Sequence, residues 1–184
     1  MTDYFKPSVT VDVLVFSFIN DQLQLLLIQR KHDPFAEAWA LPGGFIEPEE
    51  TLLQSAQREL QEETGLTLNQ LFFTGIYGNP GRDPRGRTIS AAYRTDIIWG
   101  EAPGLQAQDD AKDARWYSIA HLPALAFDHL QIIEDAISDL YAALTDQYPG
   151  STLNKKTTQT PGVDTVLKQI QTLLQTSGKL DALD

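Results

Sequence analysis

The residues best able to do chemistry lie between Gly43 and Leu66. Gly44 is followed after five residues by Glu50, and seven residues further on by Arg58-Glu59-Leu60-Gln61-Glu62-Glu63-Thr64-Gly65-Leu66. Seven of these positions are Gly, Glu or Arg. At background frequencies of roughly one in fifteen each, a chance match in a given window is on the order of one in 10⁸, so coincidence is a poor explanation. Glu59, Glu62 and Glu63 stand at i, i+3 and i+4 and share one face of a helix. Like charges at that spacing repel, and Arg58, one turn before Glu62, cannot neutralise all three. Clustered carboxylates are hard oxygen ligands suited to Mg²⁺ or Mn²⁺, which in turn bridge phosphate oxygens. The implied chemistry is a metal-dependent phosphate site; the plain alternative is a solvated acidic helix face.

Local elements must hold these residues in place. Thr51 followed by Gln54 has the form of a capping box, and Gly65 suits a left-handed end, giving a helix of about thirteen residues. Leu52, Leu53, Ala56 and Leu60 form its predicted buried stripe. Before it, Trp39-Ala40-Leu41 reads as a short strand entering Pro42-Gly43-Gly44, where small residues let backbone approach a ligand closely.

The whole spacing resembles the signature of the Nudix hydrolases, matching at every defined position. The resemblance extends over roughly residues 8–145. It implies an α/β fold, the Nudix-type α/β/α sandwich with a mixed central sheet. Residues 1–147 would form the domain, and 148–184 a linker and an amphipathic C-terminal helix. It also implies that water cleaves a nucleoside diphosphate linked to another moiety, with Mg²⁺ or Mn²⁺ as cofactor. Glu59, Glu62 and Glu63 would be metal ligands or a water-activating base, Arg58 would orient them, and the Gly43 carbonyl would complete the metal's shell. Many members take a further ligand or base from an acidic residue shortly before a Trp-bearing strand. Here Asp109 and Asp110 precede the strand 114–118 with Trp116, and Asp110 is the residue carried forward.

A second segment, 78–87, sets Arg82, Arg85 and Arg87 among glycines and prolines in an otherwise acidic chain. Arginine presents a planar donor fork matched to phosphate, which makes these three, with Arg30 and the Gly44 backbone, the candidate substrate contacts. The bland reading is a charged hairpin loop in which Asp83 pairs with one arginine. The segment Asn79-Pro80-Gly81-Arg82-Asp83-Pro84-Arg85-Gly86 also resembles one seen in a prokaryotic ADP-ribose pyrophosphatase branch of the family, which points to ADP-ribose.

Composition bounds the rest. A chain of 184 residues with 42% hydrophobic content forms one ordinary domain with a sizeable core. It contains no cysteine, which excludes disulfides and suits a reducing compartment. No apolar run approaches a membrane span or a signal sequence, so a cytoplasmic protein without membrane contact is expected. A net charge of −11 opposes binding to long polyanions, so no nucleic-acid partner is expected; a small nucleotide remains compatible.

The pattern predicts strands over 8–19 and 22–29 joined at Asn20-Asp21, and a hairpin of 71–77 with 88–98. It predicts a helix capped by Asp128 with a core face of Ile132, Ile133, Ala136, Ile137, Leu140 and Leu144. His32, His121 and His129 lack metal spacing and read as structural or surface residues. Tyr77, Tyr93 and Trp99 could stack on adenine, but aromatics in strands are more often core. The apolar stripe Val163, Val166, Leu167, Ile170, Leu173 and Leu174 marks a last helix that packs either on the domain or on a second copy in a homodimer. Two function classes follow: a hydrolase of ADP-ribose or of another nucleotide, and a non-catalytic ADP-ribose-binding regulator.

Overall fold

The computed structural model describes residues 4–107, 111–147 and 162–177. In chain order these form β1 (Ser8–Leu14), β2 (Phe16–Ile19), β3 (Gln22–Arg30), β4 (Trp39–Ala40), β5 (Gly43–Phe45), α1 (Leu52–Thr64), β6 (Phe72–Tyr77), β7 (Thr88–Arg94), β8 (Ile98–Trp99), β9 (Ala111–Ser118), α2 (His129–Gln147) and α3 (Val163–Thr176). Asn20 and Asp21 both adopt positive φ, the conformation that lets a two-residue loop follow the twist of β2 and β3.

The strands make two mixed sheets where one was expected. The first runs β5-β1-β7-β6; the second runs β4-β3-β2-β8, with β9 also paired to β3. The cause is a switch made by two segments together. At Val15 the predicted strand 8–19 leaves the first sheet for the second, and beside it the predicted strand 88–98 breaks after Arg94. Buried Thr95 staples the break: its N–H donates to the Leu14 carbonyl at 2.9 Å, and its Oγ1 accepts from the Phe16 N–H at 3.1 Å.

Alternation along the strands builds a core on either side of the sheet layer. Val11, Val13, Val15 and Leu26 pack with Ala56 and Leu60 of α1. Leu14, Phe16, Phe18, Leu23, Leu25 and Leu27 pack with the predicted apolar face of α2 and with α3. This is an α/β/α sandwich. The stripe of α3 is therefore buried on its own chain, and Gln169 fixes it to the hairpin, accepting from the Leu23 N–H and donating to the Asp21 carbonyl, each at 2.7 Å.

Helix α1 has the predicted ends: a complete Thr51/Gln54 capping box and Gly65 at φ 76°. One expectation fails. Leu53 shares the angular position of Leu60, yet in the first turn it stays 38% exposed, while Ser55 and Glu63 are buried. Strand β5 lies antiparallel to β1, with Asp12 opposite Gly43, and this brings the glycine pair under α1.

Candidate active site

One guanidinium organises the acidic cluster. Arg58 Nε donates to Glu50 Oε1 at 2.8 Å, and Nη1 donates to Glu59 Oε1 at 2.8 Å and to Glu62 Oε2 at 2.9 Å. Its Nη2 donates to the Phe45 carbonyl at 3.0 Å, tying helix to β5. Arg58, and after it Ser55, whose hydroxyl donates at 2.7 Å, hold the Glu50 carboxyl down to about 2. Burial pushes the Glu59 carboxyl up, with Arg58 pulling the other way. Glu63 faces the glycines: it is buried, and its Oε2 accepts from the Gly43 N–H at 2.8 Å. Close approach dictates both glycines. A Cβ on Gly44 would strike the Glu59 carboxylate, and one on Gly43 would strike the Val11 carbonyl.

The cluster opens into a cavity of 530 Å³ that brings together Arg30, Gly43, Gly44, Arg58, Glu59, Glu62, Glu63, Arg82 and Arg85. Two predicted residues are not gathered there. Arg87 turns Nη1 to the Gly78 carbonyl and does not line the cavity. Asp110, like Asp109, lies outside the described residues.

Arg82 lines the cavity, but its fork is committed elsewhere. With a side chain only 5% exposed, it donates to Asp128 from Nε at 2.9 Å and Nη2 at 2.6 Å, and lies 3.7 Å from Asp12. This also corrects the predicted cap, since the Asp128 carboxylate is turned to Arg82 and not to the first amides of α2. Arg85 pairs with buried Asp83 through Nε and Nη2, as the bland reading of the loop had it. Its guanidinium carbon sits 5.1 Å from the Phe45 ring centre and 5.6 Å from that of Phe127.

Several cavity residues escaped the sequence reading. Asp12 is buried between Val11 and Val13 of β1 and accepts from the Ser90 hydroxyl at 2.5 Å. A charged residue inside Val11-Asp12-Val13 was the available signal. His129 is buried: its Nδ1 accepts from the Leu41 N–H at 2.9 Å, so the proton sits on Nε2, 3.4 Å from Asp12. Burial lowers its pKa below 6.5, opposed by Asp12, so this is a neutral imidazole against a carboxylate.

That state links stability to pH. Because the unfolded chain binds the proton more readily than the folded one, the contribution of His129 is complete above pH 6.5 and is lost as pH falls below it. Urea midpoints measured between pH 8 and 5.5 are expected to fall more steeply for the wild type than for His129→Gln. Parallel curves would remove His129 as a source of the slope.

The residues fit a divalent cation by donor type, since all are hard oxygen donors: Glu50, Glu59 and Glu62 surround the Arg58 guanidinium, and Glu63 stands on the Gly43 amide. Among the described residues no three of these side chains converge on one ion-sized point. Arg58 draws Glu59 and Glu62 together, and the Gly43 amide holds Glu63.

A sandwich with this glutamate helix beside a glycine pair defines a class. The NUDIX domain family matches residues 9–136; the chain belongs to that family and is an enzyme of it. Over 132 residues it is 46% identical to an ADP-ribose pyrophosphatase of Methanocaldococcus jannaschii, covering 72% of this chain and 74% of that protein. It is 37% identical to an ADPR-responsive transcriptional repressor, NtrR, of Acinetobacter baylyi, covering 76% of this chain and 56% of the repressor. The NUDIX domain of Shewanella oneidensis NrtR, solved with ADP ribose, superposes with a TM-score of 0.69 at 34% identity, covering 74% of this chain and 90% of that one.

Proposed function

We propose that this enzyme hydrolyses the pyrophosphate of ADP-ribose to AMP and ribose 5-phosphate, with Mg²⁺, or Mn²⁺ in its place, as cofactor. The observation that carries the reading is one cavity holding both the Arg58-ordered glutamates and a pair of arginines, Arg30 and Arg85. The similarity to an ADP-ribose pyrophosphatase supports the choice of substrate.

Glu59, Glu62, Glu63 and the Gly43 carbonyl would hold the metal, with Arg58 keeping Glu59 and Glu62 in register. The bound cation supplies charge neutralisation for the diphosphate and a lowered pKa for water. In the reaction a water oxygen attacks one phosphorus while that phosphorus's bond to the bridging oxygen breaks. Glu59 or Glu62 takes the water's proton; Asp110 is retained as a further candidate for that role. Gly44 leaves room for the diphosphate, and Arg85 and Arg30 take its far side. Arg82, buried against Asp128, and Arg87, which does not line the cavity, are given no direct contact. The lack of cysteine and a small soluble substrate suit the cytoplasm.

A regulator that binds ADP-ribose without cleaving it is the second reading, favoured by similarity to the A. baylyi repressor. Against it stand the full set of glutamates and a net charge of −11, which disfavours a DNA partner. The test is turnover of ADP-ribose with Mg²⁺ beside NADH, a diadenosine polyphosphate and oxidised dGTP, with Glu62→Gln/Glu63→Gln as control. Preferred cleavage of ADP-ribose, abolished in the control, is expected. Tight binding of ADP-ribose with no turnover of any of the four would replace the hydrolase by the regulator.

A further inference from the structure

Backbone strain in this chain is concentrated beside the cavity. Five non-glycine residues among those described have left-handed φ, and two of them, Asn20 and Asp21, form a hairpin turn that requires it. The other three, Phe35 (62°), Glu37 (67°) and Phe127 (52°), lie in two loops that meet face to face. The rings of Phe35 and Phe127 contact edge to face at 4.9 Å. Bulky residues in this conformation carry a cost that the surroundings must impose, so such outliers ask for a reason.

The surroundings that impose it are visible. The segment before Phe127 is laced to β4, with the Trp39 N–H donating to the Ala124 carbonyl at 3.2 Å and the Ala126 N–H to the Trp39 carbonyl at 2.8 Å. The other loop is closed on Arg30, whose N–H donates to the Ala38 carbonyl at 2.9 Å and whose Nε donates to the Pro34 carbonyl at 2.9 Å. The ring of Phe127 is within reach of two cations. Arg30 lies 4.9 Å and Arg85 5.6 Å from its centre. Arg85 also covers Phe45, whose carbonyl binds Arg58. Arg85 spends Nε and Nη2 on Asp83, and its Nη1 has no hydrogen-bond partner among the described residues.

We propose that Phe127 is a positioning residue for substrate binding: its ring is the shared platform that holds Arg30 and Arg85 as one anion-binding pair in the cavity of the glutamates. This rests on the reading of that cavity as a diphosphate site. The physical case has two parts. Two like charges brought together repel, and the negative face of an aromatic ring attracts both. Each arginine would otherwise lose much rotamer freedom when it grips a phosphate; a stacked guanidinium has lost it already, so more of the contact appears as affinity.

The experiment is steady-state hydrolysis of ADP-ribose by Phe127→Leu and Phe127→Tyr, the second keeping the ring. Phe127→Leu should raise KM about tenfold with kcat moving far less, and Phe127→Tyr should restore KM to within about twofold. In an Arg30→Ala/Arg85→Ala background, Phe127→Leu should add nothing. Phe127→Met, whose longer unbranched chain adapts better to the space of the ring, serves if the leucine variant does not fold. An unchanged KM in the leucine or methionine variant, or a full KM rise that persists without the two arginines, overturns the proposal while leaving the hydrolase reading intact. If the wild type binds ADP-ribose without cleaving it, the same shifts are read in Kd by calorimetry. If it neither binds nor cleaves ADP-ribose, the substrate reading and this inference fall together.

Discussion

Glu63→Gln is expected to cut kcat for ADP-ribose by about a thousandfold, the scale of removing one electrostatic element from a preorganised site, while leaving the fold in place. Glu63 is buried, and its Oε2 accepts from the Gly43 N–H at 2.8 Å. A glutamine side chain keeps an oxygen to accept that hydrogen bond and keeps the volume, so packing of α1 against β5 survives. What is lost is a negative charge where the cation must bind. Mn²⁺ affinity, followed by calorimetry on the variant, should fall with kcat, and the melting temperature should stay within a few degrees. Wild-type turnover would remove Glu63 from the metal set. A large drop in melting temperature would instead make it a structural anchor of the glycine loop.

The same residue shows why so much of the centre was legible in the chain. The boundaries of α1 are local facts: a threonine and a glutamine three apart make the cap, and a glycine takes φ 76° at the other end. The glutamates follow from a helical repeat, and the apolar face of α2 follows from another. What escaped was decided at long range. The split of strands 8–19 and 88–98 depends on Thr95 meeting Phe16 across 79 residues, and no local pattern announces it. Arg82 looked like a substrate contact because its partner, Asp128, lies 46 residues away. His129 lacked metal spacing, and the structural reading of it holds, but only the folded chain puts its imidazole on the Leu41 amide at the cavity wall. Phe127 carried no signal, since a left-handed phenylalanine is set by its neighbours and not by its own preference.

Arg82 therefore supplies the sharpest separation between a binding role and a structural one. Its bidentate bond to Asp128 joins the β6–β7 loop to the start of α2, and Asp12 on β1 stands 3.7 Å away. Burial works against the charge of Arg82, but Asp128 and Asp12 outweigh it and its pKa is raised. Arg82→Ala would leave Asp12, 9% exposed, and Asp128 without their cation, beside a neutral His129 that cannot replace it. Breaking a buried pair by removing one partner costs about 3–5 kcal/mol, a large share of the roughly 5–15 kcal/mol that holds a domain folded. The expected result is a melting temperature lower by roughly 10 °C, with KM for ADP-ribose in the protein that remains folded changed by less than about threefold. Arg82→Lys, which keeps the charge and loses the fork, should fall between. The opposite pattern, unchanged melting with KM raised tenfold or more, would return Arg82 to the substrate and leave the Asp128 pair as a resting arrangement that the ligand displaces.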